Sequence, residues 1–131
     1  MTTKAIWKTT AELAPGRFVL WLGVSHGHLV SGVRGHEYKK PLSTMRAYLE
    51  GIEKALYMAP APAEDAPIVI AALRGKMLAL AAEKTRGAHP YFVPPEHTAR
   101  AREILGKDAW LCPEQMVVRE TDASKARAIA R

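Results

Sequence analysis

The chain has one cysteine among 131 residues, Cys112, so no intrachain disulfide can form and a reducing, cytoplasmic setting is expected. It has no uninterrupted apolar run near the 18 or so residues that a membrane-spanning helix needs. The opening stretch MTTKAIWKTTAELAPGR lacks the continuous apolar segment of a secretory leader. Low-complexity tracts are absent as well. A G-x-G-x-x-G fingerprint is missing, because GVSHG does not have that spacing and no acidic residue follows at the distance a dinucleotide site requires.

What is present is an ordinary globular composition, 48% apolar and 24% charged, in a length that suits a single domain. Lys and Arg exceed Asp and Glu by 19 to 13, a balance that favours an anionic partner. The basic residues are scattered over Lys39, Lys40, Arg46, Arg74, Lys76, Arg86, Arg100 and Arg102, with no nucleic-acid-binding motif beside them. Solvated helix faces account for them better than a nucleic-acid surface does.

Periodicity orders the elements. After an initial helix, RFVLWLGV (17–24) is a continuous apolar run, as expected of a strand covered on both faces. Residues 25–40 hold three glycines and three histidines without periodicity and read as a long loop. From Pro41, the positions Leu42, Met45, Leu49, Ile52 and Leu56 form one helical stripe, and the prolines at 60, 62 and 67 end it in a surface linker. IVIAAL (68–73) is a second strand, followed by an Ala-rich helix closed at Gly87. Residues 88–93 read as a third strand, and Pro95 opens a helix that stops at Gly106. A fourth strand is expected around Met116–Val118, and Thr121 or Asp122 as the cap of a last helix.

Strand and helix alternating four times indicate an α/β fold with a parallel sheet and helical crossovers. Four such units are half of an eight-unit TIM barrel, which usually takes about 250 residues. A half-barrel leaves one apolar sheet face to be covered, so a homodimer or higher homo-oligomer is expected.

Three segments carry a resemblance: ELAPGRFVLWLGVSH, KKPLSTMRAYLEGIEKA and GAHPYFVPPEHTARAREILGKDAWLCPEQMVV. Together they resemble the luciferase-like monooxygenase superfamily, and within it the oxidoreductases that use the deazaflavin coenzyme F420. The similarity extends from residue 11 to about residue 130, with HPYFVPPEHTARAREILG its most specific part. It implies a partial TIM barrel spanning the middle and later strands, and a role in hydride transfer with F420, or alternatively FMN. A relative that has lost catalysis and serves as a binding or structural subunit is the second reading.

The resemblance also implies where a cofactor phosphate lies: Ser25, His26 and Gly27 after the first strand, Ala72, Leu73, Arg74 and Gly75 after the second, and Val93 and Pro94 after the third. Barrel sites are built on these connections, and helix N-termini bind phosphate. Leu73 and Arg74 stand where smaller residues would ease the approach of a phosphate, and Arg74 can pair with it or obstruct it.

Other candidates have plainer readings. His26, His28 and His36 have no Cys or Asp to complete a recognised metal set. His89 is expected at the lower end of its strand, away from a ligand, and His97 on a solvated helix turn. Cys112 is expected to be a small buried thiol, and Tyr91 and Phe92 to point to opposite faces of one strand.

Overall fold

The computed structural model describes residues 2–130. Helix α1 (Thr2–Leu13) leads into strand β1 (Leu20–Leu22), and α2 (Pro41–Lys54), β2 (Ile68–Ala71) and α3 (Gly75–Lys84) follow. Then come β3 (Gly87–His89), α4 (Pro95–Leu105), β4 (Trp110–Leu111) and α5 (Ala123–Ile129). The four strands pair in parallel in the order β1-β2-β3-β4, with each crossover made through a helix. The architecture is therefore α/β, an open stretch of barrel wall whose sheet does not close.

Register separates the two faces of the sheet. Leu22, Ile70, Ala88 and Leu111 lie in one lateral row. That row faces the helices, where Met45 and Leu49 of α2, Leu78 and Ala81 of α3, and Ala101 and Leu105 of α4 complete one core. Ile70 is wholly buried, and a side chain of its kind gains about 1.5–3 kcal/mol from burial. The next row, Trp21, Val69, Gly87 and Trp110, points the other way because side chains alternate along a strand. Trp21 is 57% exposed there, so the apolar run at 17–24 is covered on one face and not on both.

Helix α2 forms where the stripe requires it, with Pro41 at its start and Met45, Leu49 and Ile52 buried. It ends at Lys54, two residues short of Leu56, which is almost fully exposed. A bidentate pair ties it to α3: the Arg46 guanidinium donates to both Glu83 carboxylate oxygens at 2.6 and 2.7 Å. Helix α1 is fastened to the start of β2 by the Trp7 indole N–H, which donates to the Ala66 carbonyl at 2.9 Å. The adjacent Lys8 pairs with Asp65.

Several boundaries differ from the sequence reading. Helix α3 stops at Lys84 with Thr85 as its cap, and the Thr85 hydroxyl donates to the Ala81 carbonyl at 2.8 Å. Gly87, expected to close that helix, instead opens β3. A Cβ at Gly87 would fall 2.0 Å from the Trp110 carbonyl oxygen, so only glycine lets β3 and β4 approach this closely. The third strand ends at His89, so Tyr91 and Phe92 belong to the connection after it and are both exposed.

The fourth strand is Trp110–Leu111 and not the run at Met116–Val118, which is exposed and outside the sheet. Gly87 decides this: strand pairing starts where backbones can meet, and Trp110 is its register partner. The loop at 25–40 is not uniform either, since His28–Val33 forms a π-helical turn. Asp122, rather than Thr121, caps α5 by accepting from the Ser124 and Lys125 amides.

Candidate functional site

In a parallel sheet the carboxyl ends of all strands lie at one edge, and the connections that follow them gather there. Here these are residues 23–40 after β1, 72–74 after β2, 90–94 after β3 and the segment from Cys112 after β4. Backbone strain concentrates on the same side. Ser25 (φ 61°), Lys40 (φ 45°) and Phe92 (φ 47°) are non-glycine residues in the left-handed region. Such residues are uncommon and cluster at ligand sites.

The first group of candidates, Ser25, His26 and Gly27, is held by its own loop. The Tyr38 hydroxyl donates to the Ser25 carbonyl at 3.3 Å, and the Tyr38 ring lies so close to Gly27 that a Cβ there would touch it at 3.4 Å. His26 and His28 stack with centroids 5.8 Å apart. No group of three or more potential metal ligands comes together among the described residues.

The second group surrounds the start of α3. Ala72 is buried and anchors the connection to the core, while Leu73, Arg74 and Gly75 reach the surface. The N-cap, Arg74, has extended backbone and offers no side-chain cap. The Met77 amide is taken by the Arg74 carbonyl at 2.9 Å, which leaves the Gly75 and Lys76 amides for an outside acceptor at the positive end of the helix dipole. No acidic residue occupies this first turn, and Arg74 and Lys76 flank it with two exposed positive charges.

The third group joins the second. Val93 is buried, and Pro94 begins α4 as an N-cap that likewise has no side-chain cap hydrogen bond. Three residues later, His97 Nε2 lies 2.6 Å from the Leu73 carbonyl oxygen. A carbonyl can only accept, so this nitrogen carries the proton and donates. The sequence reading of His97 as a solvated helix residue is corrected: its Nδ1 is buried and its ring is the link between two connections.

His89 is corrected as well. Because β3 starts at Gly87, His89 stands at the carboxyl end of the strand rather than at its base. Its ring meets the Trp21 indole with centroids 5.1 Å apart, and its Nδ1 is buried with no hydrogen-bond partner among the described residues. A sequence signal was available for each histidine. Small residues in GAH permit strand pairing, and a histidine in the first turn behind Pro94-Pro95 can reach back to the preceding connection.

Cys112, expected to be buried, is exposed after β4, although its amide still donates to the Ala88 carbonyl at 2.9 Å. A concavity lies elsewhere, at the amino ends of the strands. It is about 650 Å³ and is lined by Trp7, Phe18, Pro67, Arg86 and Trp110 among others. The Arg86 guanidinium sits 5.3 Å from the Trp110 ring centre, on the edge opposite the uncapped helix starts.

A four-stranded parallel sheet whose crossovers all run through helices on one face is the arrangement of a segment of a (β/α) barrel, a fold in which sites are built at the carboxyl edge. The model of the luciferase-like monooxygenase family matches residues 7–109, and the chain belongs to that family. Among curated proteins none matches the chain. No helix among the described residues is long and apolar enough to cross a membrane.

Proposed function

We propose that this chain acts in a luciferase-like oxidoreductase by binding the phosphate-bearing part of a flavin or deazaflavin at the carboxyl edge of its sheet. The observation that carries the reading is the start of α3: uncapped amides, no acidic residue, and Arg74 and Lys76 on either side of Gly75. A helix N-terminus flanked by cations suits a phosphate, through hydrogen bonds and through the dipole. Gly75 has ordinary van der Waals room, since a Cβ there would meet only the end of Ile104 at 3.5 Å.

The residues fit such a group in named roles. The Gly75 and Lys76 amides would hold the phosphate, Arg74 would supply a charged donor, and Ala72 fixes the connection to the core. Val93 and Pro94 shape the neighbouring wall, and Ser25, His26 and Gly27 border the site from the first connection. The cofactor, once bound, supplies two-electron hydride chemistry. Coenzyme F420 is the first candidate and FMN the alternative.

The open face supports an assembly. Hydride transfer needs a ring held in near-contact geometry and shielded from water. On the inner face of these four strands Trp21 and Trp110 are exposed, while Val69 between them is buried. Four further strands would complete an eight-stranded barrel, and we infer a second copy of the chain as their source. The same openness favours one other reading, a non-catalytic subunit that retains the scaffold. The exposed thiol of Cys112 is compatible with a cytoplasmic setting.

Titration of the purified chain with F420 and with FMN, followed by absorbance and fluorescence alongside solution mass, tests the proposal. Saturable binding by an oligomer is expected. A folded chain that binds neither compound overturns the cofactor reading.

A further inference from the structure

We propose that His97 is a positioning residue for the phosphate site: its hydrogen bond to the Leu73 carbonyl sets the direction of the backbone amides that begin α3. The inference rests on the cofactor reading above and adds a residue that has no place among the groups expected to touch the ligand.

The argument starts from the connection itself. Only residues 72–74 separate β2 from α3, with Ala72 buried and Arg74 in extended backbone. The Leu73 carbonyl and the Arg74 N–H belong to one planar peptide unit, and in a trans peptide they point in opposite directions. Holding the carbonyl toward α4 therefore aims the Arg74 N–H away from α4, and it fixes the angle at which the chain enters the uncapped first turn of α3. His97 holds it at 2.6 Å from a helix start that is itself set by Pro94 and Pro95.

The ring suits this task. Its Nδ1 is buried without a hydrogen-bond partner among the described residues, so the imidazole contributes one polar contact, through Nε2. The two helices it couples, α3 and α4, both pack into the core through Leu78, Ala81, Ala101 and Leu105. A rigid α4 thus becomes the reference against which the phosphate connection is held, and preorganised amides bind an anion without paying to be ordered first.

The test compares ligands with and without the phosphate: FMN differs from riboflavin by the phosphate alone, and F420 from its chromophore by the phosphate-linked tail. Dissociation constants for FMN and riboflavin, and for F420 and its phosphate-free deazaflavin chromophore, are measured on wild type, His97→Ala and His97→Gln. In H97A the preference for the phosphate-bearing member of each pair should fall by about five- to tenfold, the effect of one lost hydrogen bond, while the phosphate-free members bind as before. Gln can donate to the same carbonyl, so H97Q should restore most of the preference. If H97A does not fold, His97→Leu takes its place, and the Arg74 and Gly75 amide shifts of ligand-free H97L and H97Q give a second reading. These shifts should move in H97L and stay near wild type in H97Q.

An H97A that keeps the wild-type preference, or that weakens both members alike, overturns the positioning role and leaves the cofactor reading standing. Unmoved Arg74 and Gly75 shifts in H97L do the same. A wild type that binds none of the four compounds, or shows no preference for phosphate, overturns the cofactor reading and the positioning role with it.

Discussion

The Trp21 indole and the His89 imidazole meet above β2 with ring centroids 5.1 Å apart and planes tilted by 49°. Trp21 is on β1 and His89 on β3, and the strand between them presents only Ala71 at the register of His89. The small residue leaves room for two rings to touch over it. Because Trp21 is 57% exposed, this contact contributes little to the core. Trp21→Leu should lower unfolding free energy by less than about 1 kcal/mol, whereas Ile70→Ala, which empties a fully buried site, should cost about 2–5 kcal/mol. Urea unfolding of the two variants checks the contrast. A large loss in W21L would mean that the inner face is covered in the protein as it exists in solution.

Gly87 makes a sharper prediction. Since any Cβ there would overlap the Trp110 carbonyl, Gly87→Ala has to push β4 away from β3. The loss should exceed about 3 kcal/mol, in the range reserved for overpacked or strained sites. Near-ultraviolet circular dichroism of G87A should also lose the signal of Trp110, whose ring lies against Arg86. A fully stable G87A would show that the two strands are not paired as described.

Arg74 decides between assisting and obstructing the phosphate. Arg74→Ala should weaken FMN binding by about 1.5–3 kcal/mol, as for a hydrogen bond to a charged group, and leave riboflavin unaffected. Tighter FMN binding by R74A, measured by fluorescence titration, would instead identify the side chain as a block.

The pair between Arg46 and Glu83 predicts a pH dependence. Its hydrogen bond with Arg46 holds the Glu83 carboxyl below its ordinary range, and the same bond raises Arg46 above its own. A depressed carboxyl contributes stability that is present above the unfolded-state value and is lost as pH falls through the folded-state value. The stability difference between wild type and Glu83→Gln should therefore be greatest at neutral pH and vanish in acid. It should be small throughout, because both side chains are solvent-exposed and screened. Thermal melts between pH 7 and strong acid would show it, and a difference that grows in acid would contradict the pairing.

Phe92 adopts φ 47°, which a bulky residue reaches only at a cost of about 1–3 kcal/mol. Phe92→Gly should relieve that strain and leave stability unchanged or slightly raised, since the ring is 56% exposed. A clear loss on denaturant unfolding would mean that the ring is held by packing.

The sequence by itself determined the class of fold. Periodicity of three and four in α2, prolines at the starts of α2 and α4, and short apolar runs between them required strands alternating with helices, and that alternation required a parallel sheet. It also placed the candidate residues on the connections, because Ser25, Arg74 and Pro94 follow apolar runs whatever the exact strand ends are. Strand ends themselves depended on contacts between distant segments. Gly87 belongs to a strand because Trp110 comes within reach of its backbone, and that shift of one element moved His89 from the base of the sheet to its carboxyl edge.

Only the tertiary structure decided which apolar face is covered, since a run such as FVLWLGV is equally apolar on both sides. It alone decided that His97 reaches Leu73, 24 positions back. The physical reason is common to both: local sequence sets torsion preferences and alternation, while burial and side-chain hydrogen bonding are settled by residues that meet only when β2, β3 and their helices pack.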